Sequence, residues 1–197
     1  MKQFAAIAVI AISGVTIFQQ SRPRTYPPGA LVDADPIQAP ITEPVAPMQK
    51  AGFNITPLAH FELTARVLHK RRYRSDAVAG LAPFDLAVGW GPMSDQQVLD
   101  KLEISQSNRF FFWEYQHSPP IHTDQIVCHA TNMHLIPPDN EMFRKINSAG
   151  AGDLIHLRGL LIEANQPGMT PWRSSLSRTD TGKGACEIVW VESFEKR

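Results

Sequence analysis

The chain has no excess of charge of either sign. Its 197 residues include 19 Lys and Arg and 19 Asp and Glu, so the formal net charge is zero. A balanced chain has no overall field to attract nucleic acid or acidic substrates, and we expect no nucleic-acid partner. The 43% content of hydrophobic residues is typical of a globular protein, and the length allows one domain with extensions.

Cysteine is scarce, and its spacing excludes two kinds of site. Cys128 and Cys186 are too few for a disulfide scaffold, and no CxxC pair predicts a zinc or thioredoxin-like site. Two alternatives stay open. The cysteines form one disulfide in an exported domain, or they are two small buried hydrophobic residues.

The histidines do not have the spacing of metal ligands. His117 and His122 are five positions apart, and so are His129 and His134. On a strand or a helix this spacing directs two side chains away from a common ion. We therefore expect neither a metal nor another cofactor.

Long hydrophobic runs are absent except at the N-terminus, where the uncharged segment Phe4–Phe18 follows Lys2. As a helix it would span roughly 22 Å, against roughly 30 Å for the hydrocarbon core of a bilayer. Residues 1–20 therefore predict a signal peptide, or, because no small-x-small cleavage site follows, an uncleaved signal anchor. We expect a domain that is anchored in the inner membrane and faces the periplasm, or is secreted to the periplasm.

Residues 21–49 contain seven prolines and almost no periodic hydrophobic pattern. This composition is typical of extended polyproline II chain, which acts as a semi-rigid spacer. It predicts a proline-rich linker between the membrane and a single domain at residues 50–197.

That domain is rich in β-prone runs with turn residues between them. The fold class predicted is α+β, mainly β, with a small OB-like barrel or curled antiparallel sheet and two short helices. The predicted helices are Gln96–Leu102 and Pro138–Ile146. The predicted strands are Leu58–Leu68, Arg109–Tyr115, Gln125–Ile136, Asp153–Glu163, Trp172–Arg178 and Ala185–Ser193.

Three segments, GWGPMSD at 89–95, NMHLIPP at 132–138 and DTGKGACE at 180–187, resemble an uncharacterised family of bacterial proteins. Members of that family are membrane-anchored or exported. The resemblance extends from about Phe61 to Val191. It implies a shared domain and supplies no activity.

Asn132 and His134 are the best pair for a small polar site, because residues two apart on a strand share one face. For His134 we expect a structural role, with the ring partly exposed and hydrogen-bonded to backbone or a neighbouring loop. His134→Ala should then lower stability by roughly 1–3 kcal/mol. Trp90, between Gly89 and Gly91, predicts either a ligand contact or a plug over the core.

Asp180 begins the tripeptide DTG, which aspartic proteases carry twice and this chain carries once. Its neighbours are typical of a hairpin turn, and we interpret it as a turn. The positive run His69–Arg74 fits a solvated strand end, or a contact with nucleic acid or anionic lipid.

The leading hypothesis is a membrane-tethered binding or assembly module that faces the periplasm and contacts a protein partner or a small ligand. Catalysis is the less favoured hypothesis. The alternative is a hydrolase whose site brings together dispersed polar residues, namely Asp85, Asp95, Asn132, His134, Arg173 and Asp180.

Overall fold

The computed structural model describes residues 23–177, 180, 182 and 184–197. The strands are β1 Ile37–Pro40, β2 Met48–Lys50, β3 Phe53–Arg72, β4 Phe84–Gly89, β5 Glu103–Ser107, β6 Phe110–Glu114, β7 Ala130–Ile136, β8 Leu154–Asn165, β9 Trp172–Arg173 and β10 Glu187–Lys196. The helices are a 3-10 turn at Gly91–Ser94, α1 Gln96–Leu99, α2 Thr123–Cys128 and α3 Asn140–Ser148.

Five of these strands close into a ring of hydrogen bonds. β3 pairs with β4, β4 with β7, β7 with β10, β10 with β8, and β8 pairs again with β3. The β7–β10 pair is parallel, and the other four pairs are antiparallel. A five-stranded barrel of this kind is the architecture of the OB-fold, and the prediction of a small, mainly β, curled sheet is confirmed.

β3 is long enough to pair with two different strands of the barrel. Its 20 residues pair with β8 along the first part and with β4 along the last part. The register shifts between Pro57 and Ala59 and again between Val67 and His69. Such bulges bend a strand, and a bulge also accommodates Pro57, which has no N–H to donate to the ladder.

The barrel interior follows from the two-residue period of these strands. Alternate side chains of β3, β4, β7, β8 and β10 point inward, and α3 closes one end with Met142 and Ile146. The buried core includes Phe61, Leu63, Val67, Phe84, Leu86, Val88, Trp90, Met133, Leu135, Ile155, Leu157, Leu161, Val189, Val191 and Phe194.

The described residues contain three α-helices where the sequence predicts two. The additional helix is α2, which occupies the start of the predicted strand Gln125–Ile136, so that β7 begins only at Ala130. His122 caps this helix by accepting a hydrogen bond from the Asp124 N–H, and Asp124 lies in the first turn, where a negative charge is favourable.

The described part of the proline-rich segment packs on the barrel, in contrast to the predicted free spacer. β1 and β2 both pair with β3, and Val32 is buried in the core. The Ser94 hydroxyl accepts hydrogen bonds from the Leu31 and Val32 N–H groups. Prolines are tolerated here because edge strands leave some N–H positions unpaired.

None of the helices in the described part of the chain is long and apolar enough to cross a membrane. The predicted signal peptide or anchor, residues 1–20, lies outside the described residues.

Candidate functional site: a buried Asp–His pair beside a cysteine

Polar side chains from three neighbouring strands meet on the outer face of the barrel. Asp85 of β4 lies directly opposite His134 of β7, and His134 lies opposite Ile188 of β10. Asn132 is on the same face as His134, as the sequence predicts, because Met133 between them points into the core. Cys186 precedes Ile188 by two residues, and its Sγ is 3.8 Å from Asn132 Nδ2.

A hairpin formed by β5 and β6 covers this face. Gln106 of β5 donates a hydrogen bond from Nε2 to Asn132 Oδ1, and Asn132 Nδ2 donates to the Arg109 carbonyl at 3.0 Å. The ring of Trp172 lies 4.8 Å from that of His134, centroid to centroid. Asp85 is fully buried and His134 is 3% exposed, whereas Cys186 is half-buried. The cysteine is therefore the more accessible end of the site.

Asp85 receives two cationic donors on one oxygen. Its Oδ1 accepts hydrogen bonds from His134 Nδ1 at 2.9 Å and from Arg109 Nη1 at 2.8 Å. Its Oδ2 is buried and has no hydrogen-bond partner among the described residues. A carboxylate in this position needs the two positive charges, because an uncompensated buried charge costs several kcal/mol.

Arg109 reaches Asp85 from a strained backbone position. Asn108 and Arg109 form the two-residue turn between β5 and β6, with φ angles of 50° and 70°. Turns of this kind favour Asn-Gly, since a positive φ is unfavourable for a residue with a Cβ. The guanidinium also pairs with both oxygens of Asp76 and lies 3.7 Å from the centre of the Tyr73 ring. These contacts offset the strain and hold the guanidinium against Asp85.

The imidazole of His134 is a cation at neutral pH. Burial by itself would lower its pKa, but the hydrogen bond to Asp85 and the one to Cys186 outweigh burial and raise the pKa from 6.5 to about 9. Nδ1 faces Asp85, and Cys186 contributes to the raised pKa, so the ring lies between the carboxylate and the thiol. The three side chains thus form a chain of the order thiol, imidazole and carboxylate.

The expectation of a partly exposed His134 bonded to backbone or a loop is corrected by this geometry. The ring is almost completely buried, and its Nδ1 partner is a carboxylate on the adjacent strand. The reason is the pairing of β7 with β4, which places Asp85 directly across from it.

Two other predicted site residues lie apart from this cluster. Trp90 is 1% exposed in the barrel core, and its Nε1–H donates a hydrogen bond to Asp35 Oδ1 at 2.8 Å. Of the two alternatives for Trp90, a ligand contact or a plug over the core, this position corresponds to the plug. Arg173 is exposed at β9 and forms an ion pair with Glu163 at 2.7 Å.

Two predicted aspartates also have local partners. Asp95 caps α1 by accepting from the Gln97 N–H and also accepts from the Gly29 N–H. Asp180 accepts a hydrogen bond from the Ser175 hydroxyl at 2.6 Å. Of the six dispersed residues, the structure brings together Asp85, Asn132 and His134.

Cys186 and Arg109 are the members of the cluster that sequence reasoning missed. Both cysteines are free and half-buried, so they form no disulfide and are not core residues. Cys128 ends helix α2, whereas the parallel pairing of β7 and β10 places Cys186 beside Asn132, on the face that also carries His134. Only a correct barrel topology would have revealed it.

Within the described residues, no group of three His, Cys, Asp or Glu side chains has the arrangement of a metal site. The comparisons with known proteins add no assignment: no protein-family model, curated protein or solved structure matches this chain.

Proposed function

We propose that this domain is a hydrolase that forms an acyl-enzyme on Cys186. The observation that carries the proposal is the cluster of the buried Asp85, the His134 ring bonded to it at 2.9 Å, and the Cys186 thiol 3.8 Å from the neighbouring Asn132 amide. A nucleophile, a proton carrier and a carboxylate that orients the carrier recur on unrelated folds that perform acyl transfer.

In the first half-reaction His134 and Cys186 act as an ion pair. The imidazolium stabilises the thiolate, and the thiolate is the nucleophilic form of cysteine. Sγ attacks the carbonyl carbon of an ester or thioester, and a bond from Sγ to that carbon forms. The bond to the leaving group then breaks, and the Nε2 proton of His134 passes to the leaving group.

In the second half-reaction water replaces the leaving group. His134, now neutral, accepts a proton from water at Nε2, and the water oxygen attacks the thioester carbon. The bond between carbon and Sγ breaks, which releases the carboxylic acid and restores the ion pair. Atoms and protons balance over the cycle, and no other reagent is needed.

Three residues position this chemistry. Asp85 keeps the His134 ring oriented through Nδ1, and Arg109 holds Asp85 in place through Nη1. The Asn132 amide donates both to Cys186 Sγ and to the Arg109 carbonyl, and so holds the thiol beside the turn that carries Arg109.

The first test is the reactivity of Cys186 towards iodoacetamide, with Cys128 as the internal control. Alkylation proceeds through the thiolate, and a thiol beside an imidazolium forms its thiolate more readily than an isolated thiol. We expect Cys186 to be alkylated at least about tenfold faster than Cys128, as measured by peptide mass spectrometry. His134→Gln should remove that advantage.

The same proteins test turnover with p-nitrophenyl acetate as the probe. Cys186→Ser should abolish hydrolysis, whereas Cys128→Ser should leave it unchanged. Equal alkylation of the two cysteines, or full hydrolysis by Cys186→Ser, would contradict the proposal.

A second candidate is the membrane-tethered binding or assembly module that the sequence suggests. It is favoured by a separate surface, the outer face of β6, where Phe110 and Phe112 are 40% and 46% exposed. Their ring centroids are 6.5 Å apart, so they form a continuous aromatic patch. Exposed apolar patches are typical of contact sites for partners.

The periplasmic address of this second candidate is tested by a fusion to alkaline phosphatase. Since Met48–Lys50 is a strand of the sheet, the fusion should follow Arg197 rather than interrupt the domain. We expect an active, membrane-associated phosphatase, because the enzyme folds only after export. A stable but inactive fusion would argue against the periplasm, and deletion of residues 2–20 provides the control.

A further inference from the structure

A positively charged groove adjoins the cluster around Cys186. It lies between the loop that follows β3 and the turn at Asn108–Arg109, and has a volume of about 590 Å³. Three exposed arginines of the positive run, Arg71, Arg72 and Arg74, line it together with Arg109. The groove thus concentrates charge on a chain whose net charge is zero.

Carboxylates do not neutralise this groove. The acid in its lining is Asp76, and both oxygens of Asp76 are bonded to Arg109. Among the described residues, no Asp or Glu lies within ion-pairing distance of Arg71, Arg72 or Arg74. Arg71 and Arg74 therefore have free donors in this groove, whereas the Arg72 guanidinium lies over the Phe143 ring, 5.1 Å from its centre.

Two contacts connect the groove to the cysteine. Arg71 of β3 lies directly across from Asp85 of β4, so the arginines begin one strand away from the buried pair. Arg109 belongs to both places, because its side chain lines the groove while its carbonyl oxygen lies 3.9 Å from Cys186 Sγ.

We propose that this groove binds a phosphate or carboxylate group on the acyl compound that reacts with Cys186. The inference deepens the proposed function and rests on it. Guanidinium groups present paired N–H donors that match the oxygens of such anions. Neighbouring strands are about 4.8 Å apart, so three strand spacings, about 14 Å measured along the curved sheet over β4 and β7, lie between Arg71 and Cys186.

The first arm of the test measures anion binding without the thiol. Inorganic pyrophosphate is titrated into Cys186→Ser by calorimetry. We expect Cys186→Ser to bind pyrophosphate. The variant that also carries Arg71→Gln and Arg74→Gln should not bind it. Arg158→Gln is the matched control, because Arg158 is also an exposed arginine but lies on β8, outside the groove. Arg109 is left intact because it holds Asp85.

The second arm measures how the anion guides a reagent to Cys186. Two bromoacetamides are compared, which carry the same spacer of about 10 Å and end in a phosphate or in a hydroxyl group. We expect the phosphate reagent to alkylate Cys186 at least about tenfold faster in the wild type. In Arg71→Gln/Arg74→Gln the two rates should become equal, whereas in the control Arg158→Gln the phosphate reagent should keep its advantage.

The outcomes separate the two proposals. Equal rates for the two reagents in the wild type, or pyrophosphate binding that survives Arg71→Gln/Arg74→Gln, would overturn the groove assignment and leave the Cys186 chemistry standing. An unreactive Cys186 together with pyrophosphate binding that depends on Arg71 and Arg74 would overturn the proposed function, and with it the acyl nature of the ligand.

Discussion

Asp85→Ala is expected to lower the free energy of unfolding by about 3–5 kcal/mol. The wild-type carboxylate is fully buried and bonded to both His134 and Arg109. Alanine would leave the buried His134 ring without its carboxylate partner and would leave Arg109 with Asp76 as its remaining counter-ion. Urea denaturation monitored by circular dichroism would measure the change.

The matched control for this prediction is Asp124→Ala. The Asp124 side chain is 79% exposed, and its ion-pair partner His122 is 75% exposed. Such a surface change is expected to stay within about 0.5 kcal/mol. If Asp85→Ala and Asp124→Ala unfold at the same urea concentration, Asp85 does not hold the buried cations in the way we describe.

The second large effect is a loss of stability as the pH rises. The pKa of His134 is raised from 6.5 to about 9 in the folded protein, so folding favours the protonated ring. The contribution is complete below about pH 6.5 and is lost as the pH rises through about 9. Each unit of pKa corresponds to about 1.4 kcal/mol, so the full loss is about 3 kcal/mol.

Thermal melts of the wild type and of His134→Ala between about pH 6 and pH 10 would test this dependence. The variant should be less stable at neutral pH by roughly 1–3 kcal/mol, because Asp85 loses one donor. Its stability should also vary less over that pH range. A wild-type melting temperature that is constant from pH 6.5 to 9 would contradict a protonated His134 in the folded state.

The aromatic and basic surfaces place the two functional hypotheses on different parts of the molecule. Phe110 and Phe112 lie on the exposed side of the hairpin whose opposite side covers Asn132 and His134. A partner bound to this patch would therefore act on the element that encloses Cys186. Arg71 and Arg74 lie along the loop end of β3, where a small anionic group would enter.

Patterns that depend on neighbours in the chain were predictable. Alternation of polar and apolar residues predicts a small, mainly β barrel, and Asp95 is a natural cap for the helix at Gln96–Leu99. The common face of Asn132 and His134 follows from strand geometry alone. Each of these features depends on the geometry and hydrogen bonds of a few residues that are neighbours in the chain.

Proline content and strand propensity gave wrong predictions for two segments whose structure depends on contacts with distant residues. Residues 37–40 are exposed and carry Pro40, yet they form a strand because the edge of β3 offers hydrogen-bond partners. Thr123–Cys128 is helical rather than extended because a helix lets its own residue Ile126 pack into a buried cluster, a distant contact that local propensity does not report.

The sequence by itself determined the class of the fold and which face of β7 carries the polar pair. Only the tertiary structure decided what that pair contacts, since Asp85, Arg109 and Cys186 are respectively 49, 25 and 52 positions from His134 along the chain. Closure of the barrel places β4 and β10 on either side of β7. The turn at Asn108–Arg109 places the guanidinium of Arg109 against Asp85. Strand pairing brings these distant side chains together and excludes water between them. Without water, each buried charge needs a partner of opposite charge.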